Sequence, residues 1–271
     1  MDFNAKLETI SRKNDSLVCV GLDIDKERMP QFLFDTSDEP FLEFTKMIID
    51  QTKDIVCSYK LNMAFYEALG PIGYRVLHNT IRYIPKELVV ILDGKRNDIG
   101  NTAKKYAISL FDDLHADAIT VNPYLGFDGI KPFVEYRDTC SFILCRTSNR
   151  SAGDFQDLKS EGKPLYIHVA EKVKTWNKSG TCGVVVGATY PEELKEIRTI
   201  LGDSVPFLIP GIGTQGGDVK KTVEYGTNSH KELAVINSSR GIIFAGSGED
   251  YATKARDATI LLNKEINSYR V

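Results

Sequence analysis

Eight short runs of apolar and β-branched residues recur along the chain, and segments with helical periodicity separate them. The apolar runs are Leu17–Leu22, Ile55–Leu61, Leu88–Leu92, Ala118–Val121, Ser141–Cys145, Cys182–Val186, Pro206–Ile209 and Leu233–Ile236. Helices are predicted at Phe41–Lys53, Phe65–Ile84, Thr102–Leu114, Ile130–Glu135, Pro164–Lys178, Pro191–Leu201, Gly217–Tyr225 and Asp250–Ser268. Strands that are apolar throughout are typical of a parallel sheet covered by helices. Eight such units indicate an α/β fold of the closed TIM (β/α)8-barrel type, whereas six would have indicated a doubly wound sheet.

Residues 1–271 are predicted to form one barrel domain. The length of 271 residues is close to the roughly 250 residues of a typical (β/α)8 barrel. No linker, charge block or low-complexity stretch divides the chain. A formal net charge of -3 argues against nucleic acid or a membrane surface as a partner. An anionic ligand must therefore be bound by a local site.

We expect a cytoplasmic protein without a bound metal, from the pattern of the cysteines, the histidines and the first residues. The cysteines are odd in number, widely spaced and free of C-x-x-C pairs, which predicts buried thiols rather than disulfides or a zinc site. No apolar h-region follows Met1 and no run reaches the ~18 apolar residues of a membrane span, so neither a signal peptide nor a span is expected. None of the four histidines ends a strand, and no histidine general base is expected.

The active site of a (β/α)8 barrel lies at the C-terminal ends of its strands, so the polar residues that follow each apolar run are the candidates. In chain order they are Asp23, Lys60, Asn62, Asp93 to Thr102, Asn122 to Tyr124, Thr147, Ser148, Pro210 to Gly217, Arg240 and Gly241. Arg146 and Arg150 flank the Thr147-Ser148 pair and are expected to be solvated loop residues, the commoner situation for arginine.

Asp93 and Lys95 form the strongest of these signals. Residues i and i+2 of a strand project to the same face, so their charges are expected to point together into the mouth of the barrel. Lys60 ends the preceding strand at the same level. Buried alternating charges are costly unless every one is paired, and charges with perturbed pKa values collect in active sites. The alternative is a solvated charge cluster on a loop.

A glycine-rich turn follows the seventh run, in the sequence Gly211-x-Gly213-x-x-Gly216-Gly217. Its spacing matches the dinucleotide fingerprint, but that fingerprint belongs after the first strand of a Rossmann unit. In barrels, the loops after strands seven and eight often bind phosphate. We therefore interpret the turn as a phosphate-binding loop, with Gln215 and Arg240 as donors, and a plain tight turn as the alternative.

Together these residues resemble the signature of the orotidine 5'-phosphate decarboxylases, Asp93-x-Lys95-x-x-Asp98-Ile99 preceded by Lys60. The likeness spans nearly the whole chain, and the spelling of this motif and of Asn122-Pro123-Tyr124 resembles a branch found in some bacteria and protozoa. The resemblance implies a cofactor-free barrel enzyme that decarboxylates orotidine 5'-monophosphate to UMP, the final step of pyrimidine synthesis.

The resemblance also implies a role for each matched residue. Lys95 would protonate C6 of the pyrimidine, Asp93 would lie against the departing carboxylate, and Lys60 and Asp98 would complete an alternating network. Asp98 and Thr102 would reach into the neighbouring subunit's site, which implies a homodimer. The other matched residues would bind substrate: Asp23 and Asn62 the ribose, Ser148 the pyrimidine edge, Thr147 and Pro210 the base pocket, and Gln215, Arg240 and the adjoining Gly241 the phosphate. The two loops over the site, Thr147 to Lys163 and Gly211 to Gly217, are candidate lids.

Two alternatives remain. Decarboxylases of keto-gulonate 6-phosphate resemble this family and share the Asp-x-Lys-x-x-Asp motif, but they use Mg²⁺ and typically have glutamate where this chain has Lys60, whose charge would repel the metal. The other alternative is a phosphate-binding barrel without activity. Chelator sensitivity would indicate the first, and binding of UMP without turnover would indicate the second.

Overall fold

The predicted (β/α)8 barrel is confirmed in a computed structural model of the protein, which describes residues 1–213 and 216–270. Its parallel strands are β1 Val18–Gly21, β2 Ser58–Asn62, β3 Val89–Arg96, β4 Ala118–Val121, β5 Cys140–Arg146, β8 Cys182–Val186, β9 Phe207–Pro210 and β10 Ala234–Ser238. The two remaining strands, β6 Lys159–Ser160 and β7 Lys163–Pro164, form a small antiparallel pair outside the barrel. The first strand closes the barrel, because Cys19 of β1 pairs with Ser58 of β2 on one side and with Asn237 of β10 on the other. Each predicted apolar run thus contains or overlaps one barrel strand.

Helices surround the barrel between these strands. The α-helices are α1 Phe3–Lys13, α2 Phe32–Thr36, α3 Pro40–Thr52, α4 Met63–Glu67, α5 Pro71–Tyr83, α6 Gly100–Ala107, α7 Phe127–Val134, α8 Gly153–Gln156, α9 Leu165–Trp176, α10 Pro191–Leu201, α11 Val219–Gly226, α12 Arg240–Ile243 and α13 Tyr251–Asn267. A π-helical segment, Ile108–Asp113, continues α6, and 3-10 turns occur at Pro123–Leu125 and Arg150–Ala152. Among the described residues, no helix combines the length and the apolar character needed to cross a membrane.

The predicted single helix Phe65–Ile84 is wrong, because the chain forms two helices there. Gly70 interrupts them with a φ of 63°, a left-handed conformation that glycine adopts without steric cost. Pro71 then occupies the first turn of α5, where its missing N–H leaves no helical bond unmade. The first helix, Phe3–Lys13, was not anticipated; its Phe3 packs edge-on against Phe142 of β5.

The core fills the barrel and the space between its strands and helices. The short strands β1, β4 and β8 are buried at every position, which explains their continuous apolar sequences. All five cysteines are buried and free, as expected of small hydrophobic side chains. Charged groups are rarely buried, and of those buried here Glu232 pairs with Arg12 before β10, whereas Lys60, Asp93 and Arg146 lie towards the C-terminal ends of strands, where they mark the candidate site.

Candidate active site

A cleft of about 340 Å³ opens at the C-terminal end of the barrel. Its lining brings together residues from β2, β3, β4, β5, β8 and β9, which are far apart in sequence. They are Lys60, Asp93, Lys95, Thr120, Leu144, Thr147, Ser148, Asn149, Gln156, Val185, Leu208 and Pro210. The six candidates Lys60, Asp93, Lys95, Thr147, Ser148 and Pro210 therefore share one cavity.

Lys60, Asp93 and Lys95 form a continuous row of paired charges in this cleft. Lys60 Nζ lies 3.3 Å from Asp93 Oδ2 and 3.5 Å from Asp23 Oδ1, and Lys95 Nζ lies 2.7 Å from Asp93 Oδ1. The Lys60 side chain is 5% exposed, whereas that of Lys95 is 49% exposed. Lys60 is thus a buried counter-charge between two carboxylates, and Lys95 is the lysine that a ligand can reach.

Asp93 is ionised at neutral pH despite its burial. Burial by itself would raise its pKa, but the nearby charges of Lys60 and Lys95 and the hydrogen bonds from Lys95 and Thr120 lower that pKa to about 2. Burial opposes the charge of Lys60 in the same way, and the pKa of Lys60 is nevertheless raised because Asp23 and Asp93 face it. Both members of the pair are therefore held in their charged forms.

The expected strand alternation is the wrong explanation for why Asp93 and Lys95 meet. Leu92 pairs with Ile119 and Arg96 pairs with Val121, so β3 bulges by two residues between these contacts. Lys95 has a φ of 46°, which is rare for a residue other than glycine. A bulge with a left-handed residue, and not a regular strand, therefore brings the two side chains together.

Asn62 and Asp23 lie at the margin of the charge row. Asn62 pairs with Asp93 across β2 and β3, and its side chain accepts a hydrogen bond from Ala64 N at 3.2 Å, which caps α4. Asp23 follows β1 and contacts Lys60. Both predicted ribose-binding residues therefore lie next to the charged centre.

On the opposite wall, Gln156 fixes the position of Thr147. Gln156 Oε1 accepts a hydrogen bond from Thr147 N at 2.9 Å, and Gln156 Nε2 donates to Thr147 Oγ1 at 2.8 Å. Thr147 Oγ1 in turn donates to Asn149 Oδ1 at 2.7 Å. No sequence pattern pointed to Gln156, because it lies on α8, well beyond the strand end.

The expectation that Arg146 is solvated is wrong. Its side chain is 3% exposed and lies 3.8 Å from the centre of the Tyr190 ring. It donates to Gln156 Oε1 at 3.2 Å and to Asp157 Oδ2 at 3.2 Å. A guanidinium forms several bonds at once and stacks on aromatic faces. Arg146 thereby connects the end of β5 to the segment that carries Gln156, while Arg150 is exposed as expected.

The glycine-rich turn and the start of α12 meet at Ser238. A Cβ on Gly213 would lie 3.6 Å from Ser238 Oγ, and a Cβ on Gly241 would lie 3.7 Å from the same atom. Arg240 is exposed at the start of α12 and has no salt-bridge partner in the described part of the chain. The predicted phosphate donor Gln215 lies outside the described residues. The loops after the seventh and eighth barrel strands therefore converge, and Arg240 stands beside them.

Asp98 and Thr102 do not line the cleft of their own chain. The Asp98 carboxylate accepts a hydrogen bond from the adjacent Ile99 N at 2.8 Å, and Thr102 is exposed on α6. Within residues 1–213 and 216–270, no salt bridge joins Asp98 to Lys60 or Lys95. One chain alone therefore does not assemble the four-residue network.

Comparisons with known proteins agree on one family. The model of the family described as "Orotidine 5'-phosphate decarboxylase / HUMPS family" matches residues 16–255. A protein of Dehalococcoides mccartyi named orotidine 5'-phosphate decarboxylase is 49% identical, over 100% of this chain and 99% of that protein. One of Cellvibrio japonicus with the same name is 45% identical over 100% of both. The solved structure of Leishmania donovani OMP decarboxylase is 36% identical, with a TM-score of 0.87 over 100% of this chain and 99% of that one.

Proposed function

This chain belongs to the orotidine 5'-phosphate decarboxylase / HUMPS family and decarboxylates orotidine 5'-monophosphate to UMP, and we propose that Lys95 stabilises and protonates C6 in that reaction. The observation that carries the proposal is the row of directly paired charges from Lys60 through Asp93 to Lys95 in the cleft. Family membership places the activity in pyrimidine biosynthesis.

Lys95 supplies what the chemistry requires. When the bond between C6 and the carboxyl carbon breaks, CO₂ leaves and its electron pair stays on C6, in the plane of the ring. A fixed ammonium beside C6 stabilises that charge as it forms and then transfers a proton to it. Lysine suits this task because its charge is compact. Lys95 is accessible from the cleft, and solvent can reprotonate it after each turnover.

Asp93 contributes by staying ionised beside the departing group. Its lowered pKa keeps it negative at neutral pH, so it repels the substrate carboxylate and holds the Lys95 ammonium in place. Lys60 forms an ion pair with the other carboxylate oxygen of Asp93, Oδ2. Because an ammonium already lies between Asp23 and Asp93, a divalent cation at that point would meet a positive charge instead of two free carboxylates.

We assign the rest of the cleft to substrate binding. Asp23 and Asn62 would hold the ribose hydroxyls beside the charge row. Thr147, Ser148 and Pro210 would surround the pyrimidine on the opposite wall, where Gln156 fixes Thr147. Gln215, Arg240 and Gly241 would hold the phosphate. Phosphate contacts far from C6 can provide binding energy for closing the Thr147 to Lys163 segment over the site.

We further propose a homodimer in which Asp98 and Thr102 complete the partner's site. Both residues lie outside the cleft of their own chain, although the family motif includes Asp98. Ile99 follows Asp98 directly, and Leu125 and Asp98 O each lie 3.3 Å from a Cβ built on Gly129; both Ile99 and Leu125 are large, apolar and exposed. Apolar side chains exposed in this way next to functional residues are typical of a protein interface.

Residues 1–271 are proposed to be one catalytic domain in the cytoplasm. Phe3 of the first helix and Ile266 of the last belong to the same core cluster as the barrel strands. The five free cysteines fit a reducing compartment.

The test of the function is the loss of orotidine 5'-monophosphate absorbance with and without EDTA. We expect rapid conversion to UMP at the same rate in both conditions, because the positive charge at C6 comes from Lys95. A rate that falls in EDTA and returns with Mg²⁺ would favour the metal-dependent sugar-phosphate decarboxylases instead. UMP binding by folded protein without turnover would indicate an inactive barrel.

Replacing Arg240 with alanine should weaken UMP binding about 10- to 100-fold, since a charge-assisted hydrogen-bond pair contributes about 1.5–3 kcal/mol. Affinity for uridine, which lacks the phosphate, should stay unchanged. Calorimetric titration of both ligands measures the difference, with Arg137→Ala, an exposed arginine before β5, as the matched control. Equal losses for UMP and uridine, or no loss for either, would refute phosphate binding by Arg240.

A further inference from the structure

The bulge in β3 places Lys95 in a conformation that its own side chain disfavours. Between the pairs Leu92–Ile119 and Arg96–Val121, the residues Asp93, Gly94 and Lys95 stand opposite Thr120 alone. A left-handed backbone is sterically unfavourable for a residue with a Cβ, and Lys95 has a φ of 46°. Such strain persists only where surrounding contacts hold it, and it is common at active sites. Something must therefore hold the backbone of Lys95 in this bulge.

The Thr120 hydroxyl makes that contact and a second one to Asp93. Thr120 Oγ1 accepts a hydrogen bond from Lys95 N at 2.9 Å and lies 2.8 Å from Asp93 Oδ1. Thr120 is 1% exposed, so water does not compete for either bond. A backbone N–H can only donate and an ionised carboxylate can only accept, which fixes the direction of both bonds. The hydroxyl proton therefore points at Asp93 and an oxygen lone pair points at Lys95 N.

We propose that Thr120 is a positioning residue for the decarboxylation: its hydroxyl links the backbone of Lys95 to the carboxylate of Asp93 and sets the direction in which the Lys95 ammonium points. The inference rests on the proposed function of Lys95. Thr120 lines the cleft, but both polar partners of its hydroxyl are protein atoms, so it acts through Asp93 and Lys95.

The geometry explains why a single hydroxyl matters. Asp93 Oδ1 receives Lys95 Nζ and Thr120 Oγ1, while Asp93 Oδ2 faces Lys60 Nζ. Three donors, two on long lysine side chains and one on the short threonine side chain, thus fix the plane of the Asp93 carboxylate. Without the hydroxyl, Lys95 N loses its acceptor, and the strained backbone can relax toward a regular strand. A misplacement of about 1 Å at a reacting group can cost on the order of 100-fold in rate.

Thr120→Val tests the inference, because valine keeps the branched shape and replaces the hydroxyl with a methyl group. We expect kcat for orotidine 5'-monophosphate to fall about 10- to 100-fold, while the dissociation constant of UMP changes less than about threefold. Thr120→Ser retains the hydroxyl and should keep kcat within about threefold of the wild type. Thr120→Ala removes the hydroxyl without placing a methyl group against Asp93. It should show the same 10- to 100-fold loss of kcat, so the test stands even if the valine variant does not fold.

Thr259→Val is the matched control. Thr259 is fully buried in α13, and among the described residues its hydroxyl bonds only to Ala255 O of the same helix, at 2.7 Å. It should lower thermal stability without changing kcat. If Thr120→Val or Thr120→Ala lowers stability in the same way and leaves kcat at the wild-type value, Thr120 is merely structural and the inference is refuted.

The same experiment separates this inference from the function itself. Wild-type protein that does not decarboxylate the substrate refutes the function. Active wild-type protein together with fully active Thr120→Ala protein refutes only the positioning role. A loss of UMP affinity as large as the loss of kcat would also contradict it, since Thr120 would then serve ligand binding.

Discussion

Lys95→Ala protein should fold normally and lose roughly 10⁴- to 10⁷-fold in kcat. General acid catalysis contributes about 10²–10⁴-fold and stabilisation of the developing charge about 10²–10³-fold, and Lys95 performs both in the proposed mechanism. The fold should tolerate the change because the Lys95 side chain is half exposed, while Asp93 keeps its contacts to Lys60 and Thr120. Single-turnover measurements with excess enzyme would quantify the remaining rate.

A matched control for this substitution is Lys174→Ala, an exposed lysine on α9, which should retain wild-type kcat. Circular dichroism and UMP titration would confirm that the Lys95→Ala protein is folded and binds its product. If the folded variant keeps more than about one hundredth of the wild-type kcat, the proton that reaches C6 comes from another group and the assignment of Lys95 is wrong.

Mixing Lys95→Ala and Asp98→Ala proteins should restore about a quarter of wild-type activity, although each is nearly inactive alone. In a hybrid dimer, the site with native Lys95 receives native Asp98 from the other chain, whereas the second site lacks both. Random exchange makes about half of the dimers hybrids, each with one of its two sites intact. The expected recovery follows from Asp98 lying outside the cleft of its own chain.

Mixing Lys95→Ala with Asp93→Ala is the matched control for exchange. Both residues belong to the same chain's cleft, so every site in that hybrid lacks one of them and no activity should return. Subunits must first be shown to exchange, for example with two differently tagged chains. If exchange occurs and the Lys95→Ala and Asp98→Ala mixture stays inactive, Asp98 does not complete the partner's site.

Much of the fold was predictable because its information is local. The apolar runs that predicted strands overlap the barrel strands, since a buried parallel strand needs apolar side chains on both of its faces. The prediction failed where a single residue changes the backbone direction. Gly70 and Pro71 lie within a helix-like pattern, but the left-handed φ of Gly70 ends one helix and begins another.

The sequence predicted which residues line the site, but it did not predict the contacts that hold them in place. Position at a strand end was enough to select Lys60, Asp93, Lys95, Thr147, Ser148 and Pro210, which all line one cleft. Arg146 was misjudged for a different reason: it was expected to be solvated because arginines in loops usually are. Position at a strand end gave no sign of Gln156, which reaches Thr147 from a helix nine residues further on.

The sequence by itself determined the eightfold alternation of strands and helices and the order in which charged residues reach the barrel mouth. Both follow from periodicity and from which residues can be buried. Only the tertiary structure decided the bulge at Asp93 to Lys95, the bridge from Thr120 and the burial of Arg146 against Tyr190. These features depend on hydrogen bonds and contacts between residues distant in sequence, which form only when the closed barrel brings its strands into register.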